Sequence, residues 1–228
     1  ETRAVMEWTW EHNFILSANM HSGALVANYP FDGPYSGTYS ATPDDDLFIN
    51  LSLVYSENHA DMWLSGVFED GITNGAEWYA ISGGMQDWNY IWEEDYDITL
   101  EQSNTKWPTS SQLPQLWEDN QDALLSYMEK IHTGVKGVIT DVESGEPLNA
   151  TILVGGINHI ITTDIENGDY HRLLTPGTYT ITVQLFGYLQ ESQTVTITDG
   201  DATIIDFEME VDPDLETADI EDFETGNF

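Results

Sequence analysis

Cysteine is absent from the 228-residue sequence. Disulfides, thiol nucleophiles and zinc–thiolate centres are thereby excluded. Basic residues are nearly absent too: five Lys and Arg stand against 41 Asp and Glu, a formal net charge of −36. Nucleic acid and anionic membranes require cationic side chains to offset phosphate, so neither is a suitable partner. Cations and cationic peptides are favoured instead. Adaptation to salt or to a harsh external medium is the plainer account of such a surface, and steering of a basic substrate is the sharper one; the two are compatible. No apolar run reaches about 18 residues, the length a membrane-spanning helix needs. No signal-peptide pattern is visible.

What remains is enough to build a core. Apolar residues make up 40% of the chain, with 8 Trp, 11 Tyr and 8 Phe, so general disorder is not expected. The length suits one large domain or two smaller ones. Residues 1–133 mix helical and strand patterns. "ETRAVMEWTWEH" sets Ala4, Val5, Trp8 and Trp10 at roughly helical spacing. The chain thus opens on Glu1 inside a helix pattern, and the expectation is that its start is a cut. In "NFILSANMHSG", Phe14–Leu16 read as a buried strand that passes through Ser17–Asn19 into a loop, with His21 at its mouth. "SATPDDDLFINLSLVYSENH" reads as a helix capped by Thr42, with Pro43 in the first turn and Asp44–Asp46 facing the dipole rather than binding calcium. "DYDITLE" is a strand ending at Glu101. "PQLWEDNQDALLSYMEKIH" is a helix with Leu113, Trp117, Leu124, Met128 and Ile131 on one stripe. From 134 to 211 short alternating runs such as "TYTITVQL" recur between Gly, Pro, Asp and Asn, the pattern of a β-sandwich or barrel of roughly seven strands. Residues 212–228 are acidic, lack periodicity and read as a linker or tail.

Three residues of the first part could carry chemistry. His21 follows a buried strand, where open α/β sheets place their sites. Ser22 and Gly23 behind it permit close backbone approach. Glu101 follows an apolar strand, where a carboxylate is costly if buried unpaired and useful as a general base if it faces a cleft. Tyr79 lies in "GITNGAEWYAISGGMQDWNY", which reads as a long loop of the kind that forms lids.

The blocks "NFILSANMHSGALVANYPFD", "YSATPDDDLF", "GITNGAEWYAISGGMQDWNY" and "DITLEQS" resemble, in order and spacing, the zinc metallocarboxypeptidases of the carboxypeptidase N/E/D/M branch. "HTGVKGVITD", "NATILVGGINH" and "GDYHRLLTPGTYTITV" resemble the transthyretin-like domain that follows the catalytic domain in that branch. The resemblance covers residues 1–211. It implies an α/β fold with a mixed sheet and flanking helices over 1–133, then an all-β transthyretin-like sandwich over 134–211. It implies an exopeptidase that releases C-terminal Lys or Arg with Zn2+ as cofactor. His21 falls on the family's later zinc histidine, Glu101 on its general base and Tyr79 on the tyrosine that closes over the substrate. Asp32 in "YPFD" falls on the carboxylate that selects basic side chains, and Gln86 and Thr99 on positions lining the same pocket. Peptide or protein C-termini, mostly basic, are the implied partners. A monomer that is secreted or held at a prokaryotic cell surface is expected.

The departures matter. Ser22 stands where the family has Gly, and Gln102 where it has Leu. Asn104 and Thr105 follow Ser103 where vertebrate members often carry cysteines. None of the six histidines (His12, His21, His59, His132, His159 and His171) has Glu three residues on, so the family's H-x-x-E zinc pair is missing. Arg3 and Arg172 are the only arginines, and neither sits in the setting of the family's carboxylate clamp. The expectation is a fragment of a longer enzyme, inactive alone. Two alternatives stand beside it: a non-catalytic peptide-binding or surface protein on the same fold, and a protein whose β-domain is the working unit. Asn50 and Asn149 fit the N-glycosylation pattern.

Overall fold

The computed structural model describes residues 1–214. The acidic stretch expected as a linker therefore lies outside the described residues from 215 onward. The chain divides into two compact units. The first comprises Glu1–Gly134 with the short returns Leu173–Gly177 and Thr198–Ala202. The second comprises Val135–Arg172, Thr178–Ile197 and the described residues from Thr203.

In the first unit, strands β1 (Leu16–His21), β2 (Leu25–Tyr29), β3 (Ile72–Asn74) and β4 (Tyr96–Gln102) form one sheet in the order β1-β4-β2-β3. β1 runs parallel to β4, pairing Leu16 with Tyr96 and His21 with Glu101. β2 runs antiparallel to β4, pairing Asn28 with Thr99 and Val26 with Glu101. Six helices accompany the sheet: α1 (Thr2–Trp10), α2 (Asp45–Glu57), α3 (Ala60–Trp63), α4 (Gly75–Trp78), α5 (Met85–Trp92) and α6 (Leu113–Glu129).

Strand β4 shows why the sheet has two different faces. "Tyr-Asp-Ile-Thr-Leu-Glu" alternates strictly, and a strand sends successive side chains to opposite faces. Tyr96, Ile98 and Leu100 enter the apolar core with Ala27 and Tyr29 of β2. Asp97, Thr99 and Glu101 take the other face. Phe48, Leu51 and Tyr55 of α2 and Ala123 and Tyr127 of α6 complete the core. Phe48 is fully buried, meets the Tyr90 ring edge-on at 5.0 Å and lies 5.7 Å from Tyr96. Phe48→Ala is expected to cost about 3–5 kcal/mol of stability through lost burial and the cavity left behind. The denaturant midpoint measures it; a loss under about 1 kcal/mol would mean that this core repacks freely.

Five local expectations need correction. β1 extends through Ser17–Asn19 to His21, and Phe14 lies before it; the run of polar residues stays extended because it pairs with β4. Helix α2 is capped at Asp44, not Thr42, which is buried upstream; Asp45 and Asp46 occupy the first turn. Tyr90 donates to Asp44 Oδ2 at 2.8 Å, so this carboxylate is tied to tertiary structure. On α6 the buried residues are Asn120, Ala123 and Tyr127, while Leu113, Trp117 and Met128 stay exposed. The apolar stripe does not mark the packed face because the polar Asn120 serves that face, accepting from Tyr55 Oη at 2.5 Å. Likewise Val5, Trp8 and Trp10 of α1 are exposed and Thr9 is its buried residue. Finally, the stretch expected as a long loop holds β3, α4 and α5.

The second unit is all β. Strands β5 (Val135–Asp141), β6 (Thr151–Val154), β7 (Ile157–Thr162), β8 (Asp169–Arg172), β9 (Gly177–Gln184), β10 (Glu191–Ile197), β11 (Thr203–Ile204) and β12 (Phe207–Met209) form two four-stranded sets. One has the order β10-β9-β6-β7; the other is β11-β5-β12 with β8 also on β5. Ile139, Ile152, Ile161, Ile181, Val183 and Phe207 are buried between short polar-out strands, as period-2 patterning requires. His159 and His171 are half-buried.

Candidate active site

The polar face of the first sheet carries the candidate residues. Register sets His21 beside Glu101 and Asn19 beside Thr99. His21 is exposed and its ring makes no hydrogen bond among the described residues. Glu101 is 8% exposed, and its Oε2 is buried without a partner. A bare buried carboxylate oxygen is costly unless a ligand or proton uses it.

Asp32 follows β2 and is 3% exposed. Its carboxylate accepts from Gln86 Nε2 of α5 at 2.9 Å and from Asn28. Gln86 in turn accepts from Thr99 Oγ1 at 2.8 Å, and the same hydroxyl reaches Asn19 Oδ1 at 3.0 Å. The three expected pocket residues thus form one chain of hydrogen bonds from β4 through α5 to Asp32. Burial, then the nearby charge of Asp87, pushes the Asp32 carboxyl up to about 7.

Three further groups hold Asp32 that sequence reasoning missed. The Asp87 carboxylate accepts the Asp32 backbone N–H with both oxygens, at 2.9 and 3.1 Å. Gly75 and Gly84 wall the carboxylate: a Cβ on Gly84 would lie 2.5 Å from Oδ2, and one on Gly75 would collide with Oδ1. Only glycine leaves room for the charged head at either place. The signals were present in "GGMQD" and "TNGAEW", but nothing in a sequence states what a glycine must let past.

Tyr79 ends α4 and is 46% exposed. Partial burial first, then the charges of Glu101 and Asp32, raise its phenol above the ordinary value. All three groups therefore share one electrostatic neighbourhood.

The match to known sequences decides the family. A profile described as zinc carboxypeptidase matches residues 1–123, and one described as carboxypeptidase regulatory-like domain matches 134–210. The chain belongs to the zinc carboxypeptidase family. Within it, similarity is to the carboxypeptidase N/E/D branch. The chain is 47% identical over 221 residues to the mouse carboxypeptidase N catalytic chain, covering 92% of this chain and 48% of that one. It is 47% identical over 224 residues to human carboxypeptidase D, covering 92% and 16%, and 43% identical over 225 residues to the duck enzyme, with the same coverage. The chain spans about half the length of the carboxypeptidase N chains it matches.

The family implies zinc. Among the described residues no group of three His, Asp or Glu comes together that could hold a metal ion. His21 is paired in register with Glu101, whereas a catalytic zinc takes three protein ligands. The described residues do not by themselves make up the zinc carboxypeptidase metal site.

Proposed function

We propose that this chain forms the substrate-side part of a carboxypeptidase that removes C-terminal Lys or Arg from peptides. The observation carrying this reading is the Asp32 carboxylate: buried, fixed by Gln86, Asn28 and two close glycines, and paired with no cation among the described residues. A guanidinium or ammonium group reaching it would gain a charge-assisted contact, and an acidic side chain would be repelled. Gln86 and Thr99 line the approach. Tyr79 covers the bound end. Glu101, with its unpartnered Oε2, serves as the general base, and His21 offers one imidazole to a metal whose other ligands this chain does not supply. The acidic surface steers basic C-termini inward and keeps copies apart, which favours a monomer. It also suits a secreted or surface-held prokaryotic protein.

Because H-x-x-E does not occur in the sequence, the purified 228-residue chain is expected to release no arginine from a peptide ending in Arg, with or without added zinc. Release that a chelator abolishes would overturn this. Joined to a segment carrying H-x-x-E, the same chain should cleave such peptides. Continued inactivity of that folded, zinc-loaded form would favour the alternative, a peptide-binding protein without catalysis.

A further inference from the structure

In the β unit, the side chains that β9 and β10 turn outward are all uncharged. They meet in pairs across the two strands: Thr178 with Thr196 at 3.2 Å, Thr182 with Ser192 at 2.9 Å, and Gln184 with Gln190 at 2.5 Å. Strand alternation sends Ile181, Val183, Val195 and Ile197 into the core instead. At its end this face opens into a cleft of about 390 Å³, lined by Thr151, Gln184, Leu185, Phe186, Tyr188 and Gln190. No carboxylate or cation is among the six, although the chain carries 41 acidic residues. Charge is therefore not what this cleft reads.

The backbone beneath it is not what a ligand reads either. β9 is hydrogen-bonded on both sides, to β10 and to β6, and Thr151 stands opposite Gln184 in register. An added peptide strand needs a free sheet edge and finds none here, so recognition falls to side chains. Gln184 Nε2 donates to Gln190 Oε1. Gln184 Oε1 and Gln190 Nε2 then make no hydrogen bond among the described residues. One acceptor and one amide donor stand side by side in the cleft wall.

Phe186 is 92% exposed, more than any other large apolar side chain among the described residues. Its backbone is held. Tyr188 N–H donates to the Leu185 carbonyl at 3.1 Å and Gly187 has φ +90°, the geometry of a type II turn. Leu189 N–H donates to the Glu210 carbonyl at 2.8 Å, Asp212 N–H to the Gly187 carbonyl at 2.9 Å, and Tyr188 Oη to Asp141 Oδ2 at 3.0 Å. The turn thus presents an aromatic ring from a fixed position, which lowers the ordering cost of binding.

We propose that this cleft binds a neutral saccharide, with the face of one sugar ring on Phe186 and neighbouring hydroxyls on Gln184 and Gln190. A sugar ring offers polarised C–H bonds on its face, which the negative face of an aromatic ring attracts. Its hydroxyls both donate and accept, so adjacent ones suit an amide oxygen beside an amide nitrogen. A basic peptide would find no carboxylate in the cleft to pair with. The site belongs to the β unit alone and does not rest on the peptidase reading.

The test is calorimetric titration of the purified 228-residue chain with three neutral probes: cellohexaose, maltohexaose and mannohexaose. At least one should bind saturably at a single site per chain. Its affinity should hold from low salt to about 0.5 M NaCl, because no ion pair is involved. Phe186→Ala and Gln184→Ala remove exposed side chains, so both variants should melt where the parent does. Each should weaken binding about tenfold or more, as truncation of a central contact does. Ile160→Ala, an exposed position of β7 outside the cleft, should change nothing. Failure of all three sugars to bind the folded chain would overturn the proposal, and so would equal affinity in Phe186→Ala. A basic peptide that binds the chain, loses affinity in Phe186→Ala and weakens with salt would also overturn it, assigning the cleft to a polypeptide.

Discussion

Asp32→Asn is expected to reduce discrimination for a C-terminal arginine over a C-terminal leucine by about 30-fold or more, because removing one partner of a buried charge pair costs about 2–5 kcal/mol. The measurement is the ratio of kcat/KM values for the two peptides, in an enzyme form that carries this chain with a complete set of zinc ligands. The loss should fall on the arginine peptide alone. The pH dependence gives an independent check. With the pocket empty, Asp32 titrates at about 7, raised by burial and then by Asp87. Arginine binding needs the ionised form, so affinity should fall as pH drops below about 7, and Asp32→Asn should flatten that slope. An unchanged ratio in the variant would place the specificity carboxylate elsewhere. Gly84→Ala should act in the same direction, since its Cβ would lie 2.5 Å from Asp32 Oδ2.

Stability of the metal-free chain should rise on acidification from pH 8 to pH 5. Asp32 and Asp97 are raised to about 7 and Asp95 to about 6, in each case by burial first. Asp87 is raised as well. In the unfolded chain these carboxyls titrate near 3.9. Between the two ranges the folded chain binds protons that the unfolded chain does not, so stability falls as pH rises. The contribution is complete below about pH 4 and is lost as pH climbs through 6 to 7. Each unit of displacement corresponds to about 1.4 kcal/mol, and each kcal/mol moves the melting temperature by about 2–4 °C in a chain this size. Melting followed by circular dichroism from pH 5 to 8.5, with chelator present, checks it. A melting temperature that rises with pH across this range would contradict the arrangement.

Surface repulsion from the charge of −36 acts in the same direction, and salt separates the two causes. Exposed charges are screened over about 8 Å at physiological ionic strength, whereas the buried carboxyls are not reached. The pH slope that survives added salt belongs to the buried groups, and Asp97→Asn should reduce it.

The sequence by itself determined much of this protein. Strict alternation in "YDITLE" fixes which residues of β4 enter the core and which face the site, because the pleat leaves no other choice. The blocks around His21, Asp32, Gln86 and Glu101 carry the family resemblance that the comparisons support. The switch to short alternating runs after residue 134 announces the β unit. Periodicity served the helices less well: α6 packs through Asn120 and Tyr127 while Trp117 and Met128 face out. A hydropathy pattern ranks residues by solubility, but packing selects them by shape and by available hydrogen-bond partners.

Only the tertiary structure decided how the site is held. That Gly75 and Gly84 stand against Asp32, and that Asp87 accepts its backbone N–H, depends on segments more than 40 residues apart meeting in space. That Asp95 and Asp97 lie buried without a counter-charge among the described residues, while the other acidic positions of the 41 in the sequence look much the same, depends on the same meeting. Composition records how many charges a chain carries; desolvation and its relief are set by what surrounds each one, and that is a property of the fold.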